Sequence, residues 1–262
     1  ADPGEHGVQR VRDPRIKALL RRWALDRLPH QLNSPETRRI VAEREARVVG
    51  LLREAGSRLI ADAEILQSGV APPDEILTDH HEILALPPNW STFRRYVAKN
   101  DSTFEPEQRL DLLASLASIV AELHSQGIAH RDLAPSCIWM TSPTRIALTG
   151  FMSAQMPNDE SVGDWLGLLR GYSASLPEDG DKSLAGTAFE RDVYQLAAIA
   201  RELFARAGAA ADFVMPPGLD ALLGKAGASN PADRFTNAIE FADALGAIVS
   251  PPEPAVDQSR LD

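Results

Sequence analysis

Lysine, cysteine and long apolar runs are scarce in this chain, and each scarcity closes off a class of explanation. Only four of the 27 basic residues are lysines, Lys17, Lys99, Lys182 and Lys225, so chemistry that needs a lysine at a defined place has few candidates. The single cysteine, Cys137, excludes an intramolecular disulfide and an all-cysteine metal site, and a reducing cytoplasm is the expected setting. No apolar run reaches the roughly 18 residues that suggest a membrane span. The charged start (Asp2, Glu5, Arg10, Arg12) leads into no signal-type apolar stretch. Positive charge is also in deficit: 27 Lys and Arg against 37 Asp and Glu give a formal charge of -10. That balance disfavours nonspecific binding to nucleic acid or anionic membrane unless a local basic patch overrides it.

What is present is a globular composition, 44% hydrophobic and 24% charged over 262 residues, enough for one two-lobed domain or two small ones. Residues 1–13 lack an apolar period and read as a tail or linker end. From Pro14, the residues Ile16, Leu19, Leu20 and Trp23 share one helical face, so a short amphipathic helix is expected, with a strand stub over 25–28. Ser34 and Pro35 suit a helix start, and Ile40, Val41, Val48, Leu51 and Leu52 are expected to pack inward up to the stop at Gly56. Two short strands over 58–66 and 75–86, joined by a Gly-Pro-Pro turn at 69–73, follow. Asp79-His80-His81-Glu82 has the residue types of a metal cluster. On a strand, however, adjacent residues alternate faces, so a solvated hairpin is the better reading. Pro87-Pro88 interrupts the chain, and 91–99 resumes as a short helix.

The clearest helix runs over 105–125, with Leu110, Leu113, Leu116, Ala117, Val120 and Leu123 as its apolar stripe. It leads into Ile128–Met156, which opens with His130-Arg131-Asp132-Leu133 and closes with Gly150-Phe151-Met152. After a polar loop containing Trp165 come Leu176-Pro177-Glu178 and a second strong helix over 191–207, with Val193, Leu196, Ala197, Ala200 and Leu203 inside. Helices over 219–226 and 237–249 flank Asn230-Pro231-Ala232-Asp233-Arg234. Residues 251–262 form a Pro-rich linker.

In this order the motifs resemble a eukaryotic-type protein kinase. His130-Arg131-Asp132-Leu133 matches the catalytic loop, Leu176-Pro177-Glu178 the Ala-Pro-Glu closing the activation segment, and Asp192-Val193-Tyr194 the start of helix αF. Arg234 matches the late arginine that pairs with that glutamate. The resemblance implies an α+β, protein-kinase-like, two-lobed fold. Residues 14–89 would form a reduced N-lobe and residues 90–250 a mainly helical C-lobe. Asp192 is carried over as a buried anchor of the catalytic-loop backbone, and Glu178 with Arg234 as a buried ion pair. The αC glutamate falls on Glu43 or Glu45. The N-terminal region is also loosely similar to kinase-like domains of bacterial NERD-kinase phage-defence proteins.

The chemistry residues of the family are replaced. Phosphoryl transfer there relies on magnesium held by the catalytic-loop asparagine and the aspartate of Asp-Phe-Gly. Cys137 and Gly150 stand at those positions, and neither offers the oxygen that magnesium demands. No lysine lies between Lys17 and Lys99, where the phosphate-binding lysine belongs, and no glycine loop precedes αC. Prolines at a hinge of Pro87-Pro88 have no N–H to offer adenine. His130 then reads as scaffold more than base, Cys137 as a half-buried unreactive thiol, and Asp132 as a carboxylate with nothing to activate. The vestigial set is therefore His130, Arg131, Asp132, Cys137, Gly150 and Phe151, with no catalytic, cofactor or metal residue expected.

The resulting expectation is an inactive kinase-like domain serving as an interaction or regulatory module. Its partner is another protein or another domain of the parent chain, with no nucleic acid or membrane involved. Two rivals stand beside it. One is a divergent phosphotransferase or nucleotidyltransferase using ATP and magnesium, with metal on Asp159, Glu160 or Asp164; the other is a structural spacer. Trp90 and Trp165 are candidate interface residues, with burial in the core as the plainer reading.

Overall fold

The structure, a computed structural model, describes residues 9–12, 17–23, 47–52, 54, 80–84, 90–100, 104–157, 176–181, 183–207 and 215–249. Its class is α+β and mostly helical, with two three-stranded antiparallel sheets among the described residues. The first sheet contains β1 (Gln9–Arg12), β2 (Lys17–Trp23) and β3 (His80–Leu84) in that order. A helical segment, α1, covers 47–52, with Val48 and Leu52 fully buried. The second sheet joins β4 (Ser91–Thr92), β5 (Ile138–Ser142) and β6 (Arg145–Leu148).

The helical body follows from well-capped amphipathic segments. Helix α2 (Phe93–Asn100) continues directly from β4, burying Phe93 and Val97. Helix α3 (Pro106–Ser125) starts with a proline at its first position and a capping box, in which the Glu105 N–H donates to Gln108 Oε1 at 3.0 Å. It buries Leu112, Leu113, Leu116, Ala117, Val120 and Leu123. Gly127 ends it at φ 71, a left-handed turn that favours glycine, and a Cβ there would meet Pro157 Cγ at 3.2 Å. A short helix, α4 (Pro177–Gly180), precedes α5 (Ala188–Ala207). Thr187 and Glu190 cap α5 reciprocally: Thr187 N–H donates to Glu190 Oε2 at 2.6 Å and Glu190 N–H to Thr187 Oγ1 at 3.1 Å. Helices α6 (Leu219–Ala226) and α7 (Ala238–Val249) complete the body. Helix α3 packs most extensively on α7 and also on α5, and one core joins Val48 and Leu52 of α1 to buried residues from Phe93 to Leu245.

Several expectations are corrected. Residues 17–23 are strand β2 where a helix was expected, and residues 9–12 are strand β1 where a tail was expected. Backbone pairing with two neighbours overrides the helical spacing of Ile16, Leu19, Leu20 and Trp23. The described pairing of β3 is to β2; the strand expected over 58–66, its turn and the stub over 25–28 lie outside the described residues. Ser91 and Thr92 are strand, so the helix begins at Phe93. Leu51 is 37% exposed rather than inward. Leu110 is half-buried, while neighbouring Arg109 is 2% exposed. Ile40, Val41, Glu43, Glu45, Pro87-Pro88, Asp159, Glu160, Asp164, Trp165 and 251–262 lie outside the described residues.

Candidate functional site

The segment from Ile128 to Met156 closes on itself through paired backbone bonds, Ala129 N–H to Gln155 O at 3.0 Å and Gln155 N–H to Ala129 O at 2.8 Å. Between those ends, helix α5 grips the His130–Leu133 loop. Asp192, fully buried, accepts from the backbone N–H of His130 at 2.6 Å and of Arg131 at 2.7 Å. One turn along the same helix face, Gln195 accepts the Leu133 N–H at 2.9 Å and donates to the Arg131 carbonyl at 3.2 Å. Arg131, held on both sides, has φ 68. For a non-glycine residue this left-handed backbone costs about 1–2 kcal/mol, and the surrounding bonds over-determine it.

A third contact reaches Asp192 from His124, whose Nε2 lies 3.0 Å from Asp192 Oδ2. His124 Nδ1 accepts the Ala238 N–H at 2.9 Å, so the proton sits on Nε2 and is donated to Asp192. One imidazole thus joins α3, α5 and the first residue of α7. Sequence reasoning missed both His124 and Gln195. The only signal available for Gln195 was its i+3 spacing from Asp192.

His130 is fully buried, its Nε2 donating to the Thr149 carbonyl at 3.0 Å and its ring 5.1 Å from that of Phe151. Burial pushes the imidazole's pKa down. The hydrogen bond and charge of Cys137, the Asp192 carboxylate and the Thr149 carbonyl outweigh it and raise the group to about 9. The geometry fits a thiol: Cys137 Sγ donates to the Asp132 carbonyl at 3.5 Å, while His130 Nδ1 accepts the Asp132 N–H at 3.3 Å. Both side chains thus brace the loop.

Cys137 also anchors the far side. Its carbonyl accepts the Thr149 N–H at 2.9 Å and Thr149 Oγ1 at 3.2 Å. Gly150 follows at φ 91 and Phe151 is fully buried. Asp132 is 7% exposed. The structure therefore brings His130, Arg131, Asp132, Cys137, Gly150 and Phe151 into one joint. Among the described residues, no group of three or more His, Cys, Asp or Glu could hold a metal ion.

Glu178 and Arg234 meet in a bidentate pair, Nη1 to Oε1 at 2.9 Å and Nη2 to Oε2 at 2.8 Å, with side-chain exposures of 7% and 0%. The remaining Arg234 bonds go to the carbonyls of Ala228, Ser229 and Glu190, and the guanidinium lies 4.6 Å over the Tyr194 ring. Burial pushes the Glu178 carboxyl up, but Arg234, aided by Arg191, outweighs it and holds the group below its usual range. Arg191 itself bonds Asp179 at 3.1 Å. Trp90, 3% exposed, is a core residue.

The comparison with known proteins suggests a likeness to the protein-kinase superfamily. The chain is similar to serine/threonine-protein kinase PknD of Mycobacterium tuberculosis, in strains CDC 1551 / Oshkosh and ATCC 25618 / H37Rv. It is 25% identical over 176 residues, covering 58% of this chain and 26% of the relative. The chain thus spans about a quarter of the length of the curated relatives it matches. No family model matches it. Among the described residues no helix is long and apolar enough to cross a membrane.

Proposed function

We propose that the chain is a catalytically inactive, protein-kinase-like domain of two lobes, working as an interaction or regulatory scaffold for another protein or another domain of its parent chain. One observation carries this reading. The loop scaffold is kept, with Asp192 and Gln195 holding four backbone groups of residues 130–133. The two positions that would hold magnesium carry a buried thiol and a glycine, Cys137 and Gly150. A thiol that donates to the loop's own carbonyl is a brace, and magnesium needs hard oxygen ligands. The cytoplasm is the proposed setting.

A second reading, a divergent ATP-dependent phosphotransferase or nucleotidyltransferase, draws on the retained Asp132 and on the likeness to a serine/threonine-protein kinase. The two part at Asp132. In the scaffold reading, Asp132→Asn in the parent protein leaves its biological activity unchanged, because the carboxylate has no nucleotide to act beside. A normally folded Asp132→Asn protein with a null phenotype refutes the scaffold reading.

A further inference from the structure

Helices α2 and α3 carry opposite charges that nothing around them answers. On α2, Arg95, Ala98 and Lys99 stand at i, i+3 and i+4, all exposed. On α3, Glu107 and Asp111 are exposed at i and i+4, with half-buried Leu110 between them. Neighbouring Arg94 is different, since its guanidinium donates to both carboxylate oxygens of Glu202, at 3.2 and 3.4 Å. Among the described residues, Arg95, Lys99, Glu107 and Asp111 have no such side-chain partner. Like charges at i and i+4 destabilise a helix, and Arg95 lies in the first turn of α2, where the helix dipole also repels it. One aromatic residue ties the two helices together. Tyr96 of α2 meets the Phe104 ring edge on, with centroids 6.0 Å apart, and the Arg109 guanidinium of α3 lies 5.0 Å over that same ring.

We propose that these two faces are the halves of a self-complementary surface that takes a second copy of this chain. Arg95 and Lys99 of one copy meet Glu107 and Asp111 of the other, and the reverse contact repeats across a two-fold axis. A two-fold contact needs each patch and its complement on the same chain, and this chain carries both. The spacing agrees, because residues four apart on a helix hold their Cβ atoms about 5–6 Å from each other on either face. The apolar positions agree as well: Leu110 is large and Ala98 small, so the leucine of one copy fills the room left at the alanine of the other. Exposed ion pairs contribute little each, so the charges mainly select the partner and its orientation. Both copies are acidic overall, and a contact that does not match the charges meets net repulsion. None of these residues belongs to the His130–Leu133 loop, so the inference stands whether or not that loop serves a nucleotide.

The test is sedimentation velocity of the full chain across a wide concentration range, where a monomer–dimer equilibrium is expected. Arg95→Glu/Lys99→Glu and Glu107→Lys/Asp111→Lys should each weaken the dimer by about tenfold or more. The first variant makes the chain more acidic and the second less, so an effect of net charge alone would move them in opposite directions. Mixed in equal amounts, the two variants should dimerise with each other, because each then meets opposite charge on both faces. Circular dichroism melts check that each variant folds. Where a reversal unfolds, Arg95→Gln/Lys99→Gln or Glu107→Gln/Asp111→Asn takes its place and should also weaken the dimer. A chain that stays monomeric, a mass that climbs past two copies, variants that dimerise like the unmodified chain, or a mixture of folded reversals that stays monomeric overturns the proposal.

Discussion

Replacing Asp192 with alanine removes one carboxylate that three donors share: the N–H groups of His130 and Arg131 at 2.6 and 2.7 Å, and His124 Nε2 at 3.0 Å. Asp192 and His130 are fully buried and the His124 side chain is 1% exposed, while Arg131 is half-buried. A buried donor left without its acceptor costs about 1–3 kcal/mol. Water entering the space vacated by the carboxylate recovers part of that. The left-handed backbone at Arg131 also loses one of its restraints. The expected loss is about 4 kcal/mol, a large fraction of the roughly 5–15 kcal/mol that holds a typical domain folded. Urea unfolding of the full chain followed by tryptophan fluorescence reads this as a lower midpoint. Asp192→Asn should fall in between, because it keeps one acceptor oxygen and turns an NH2 group toward a donor. Amide exchange at His130 and Arg131 should accelerate more than exchange in α6. An Asp192→Ala protein within about 1 kcal/mol of the unmodified chain would refute the clamp.

Gln195→Leu strands the Leu133 N–H and should cost about 1–3 kcal/mol in the same assay. Breaking the Glu178–Arg234 pair from one side, with Arg234→Met or Glu178→Leu, should cost about 3–5 kcal/mol. The double variant should cost less than the sum of the two, because neither charge is then left alone. The Glu178 carboxyl is held below its usual range in the fold, so its contribution is present above the ordinary glutamate value, about 4.3. It fades as pH falls through the lower folded value. Unfolding curves of the unmodified chain and Glu178→Gln should therefore differ at neutral pH and converge in acid. A difference that persists or grows in acid contradicts the pairing.

Much of the helical body was legible because its signals are local. Pro106, Glu105 and the apolar spacing through Leu123 mark α3, and the spacing from Val193 to Leu203 marks α5. The motif residues from His130 to Gly150 fixed where the joint would lie. The side chains that hold it were harder to foresee. Gln195 and His124 are polar residues on otherwise apolar helices, and only the tertiary fold brings them to their partners. Arg109 illustrates the same limit. A charged residue in an amphipathic helix reads as outward, yet its guanidinium is buried, donating to the Phe104 carbonyl at 3.2 Å and to Leu203 at 2.8 Å. Leu203 lies in the last turns of α5, close to the helix C-terminus, which attracts positive charge. At residues 17–23 the local period favoured a helix, and pairing across the sheet won because both neighbouring strands offered a full backbone ladder.

We propose that Cys137 and Gly150 leave the loop without a magnesium-nucleotide site. A thermal melt of the full chain with ATP, alone and with magnesium or manganese, tests it most directly. A nucleotide present at a hundredfold excess over its dissociation constant adds about 2.7 kcal/mol, which for a chain of this size raises the melting temperature by about 5–10 °C. No metal-dependent shift is expected, and a reproducible shift of that size with magnesium and ATP together would mean that the chain binds the metal-nucleotide.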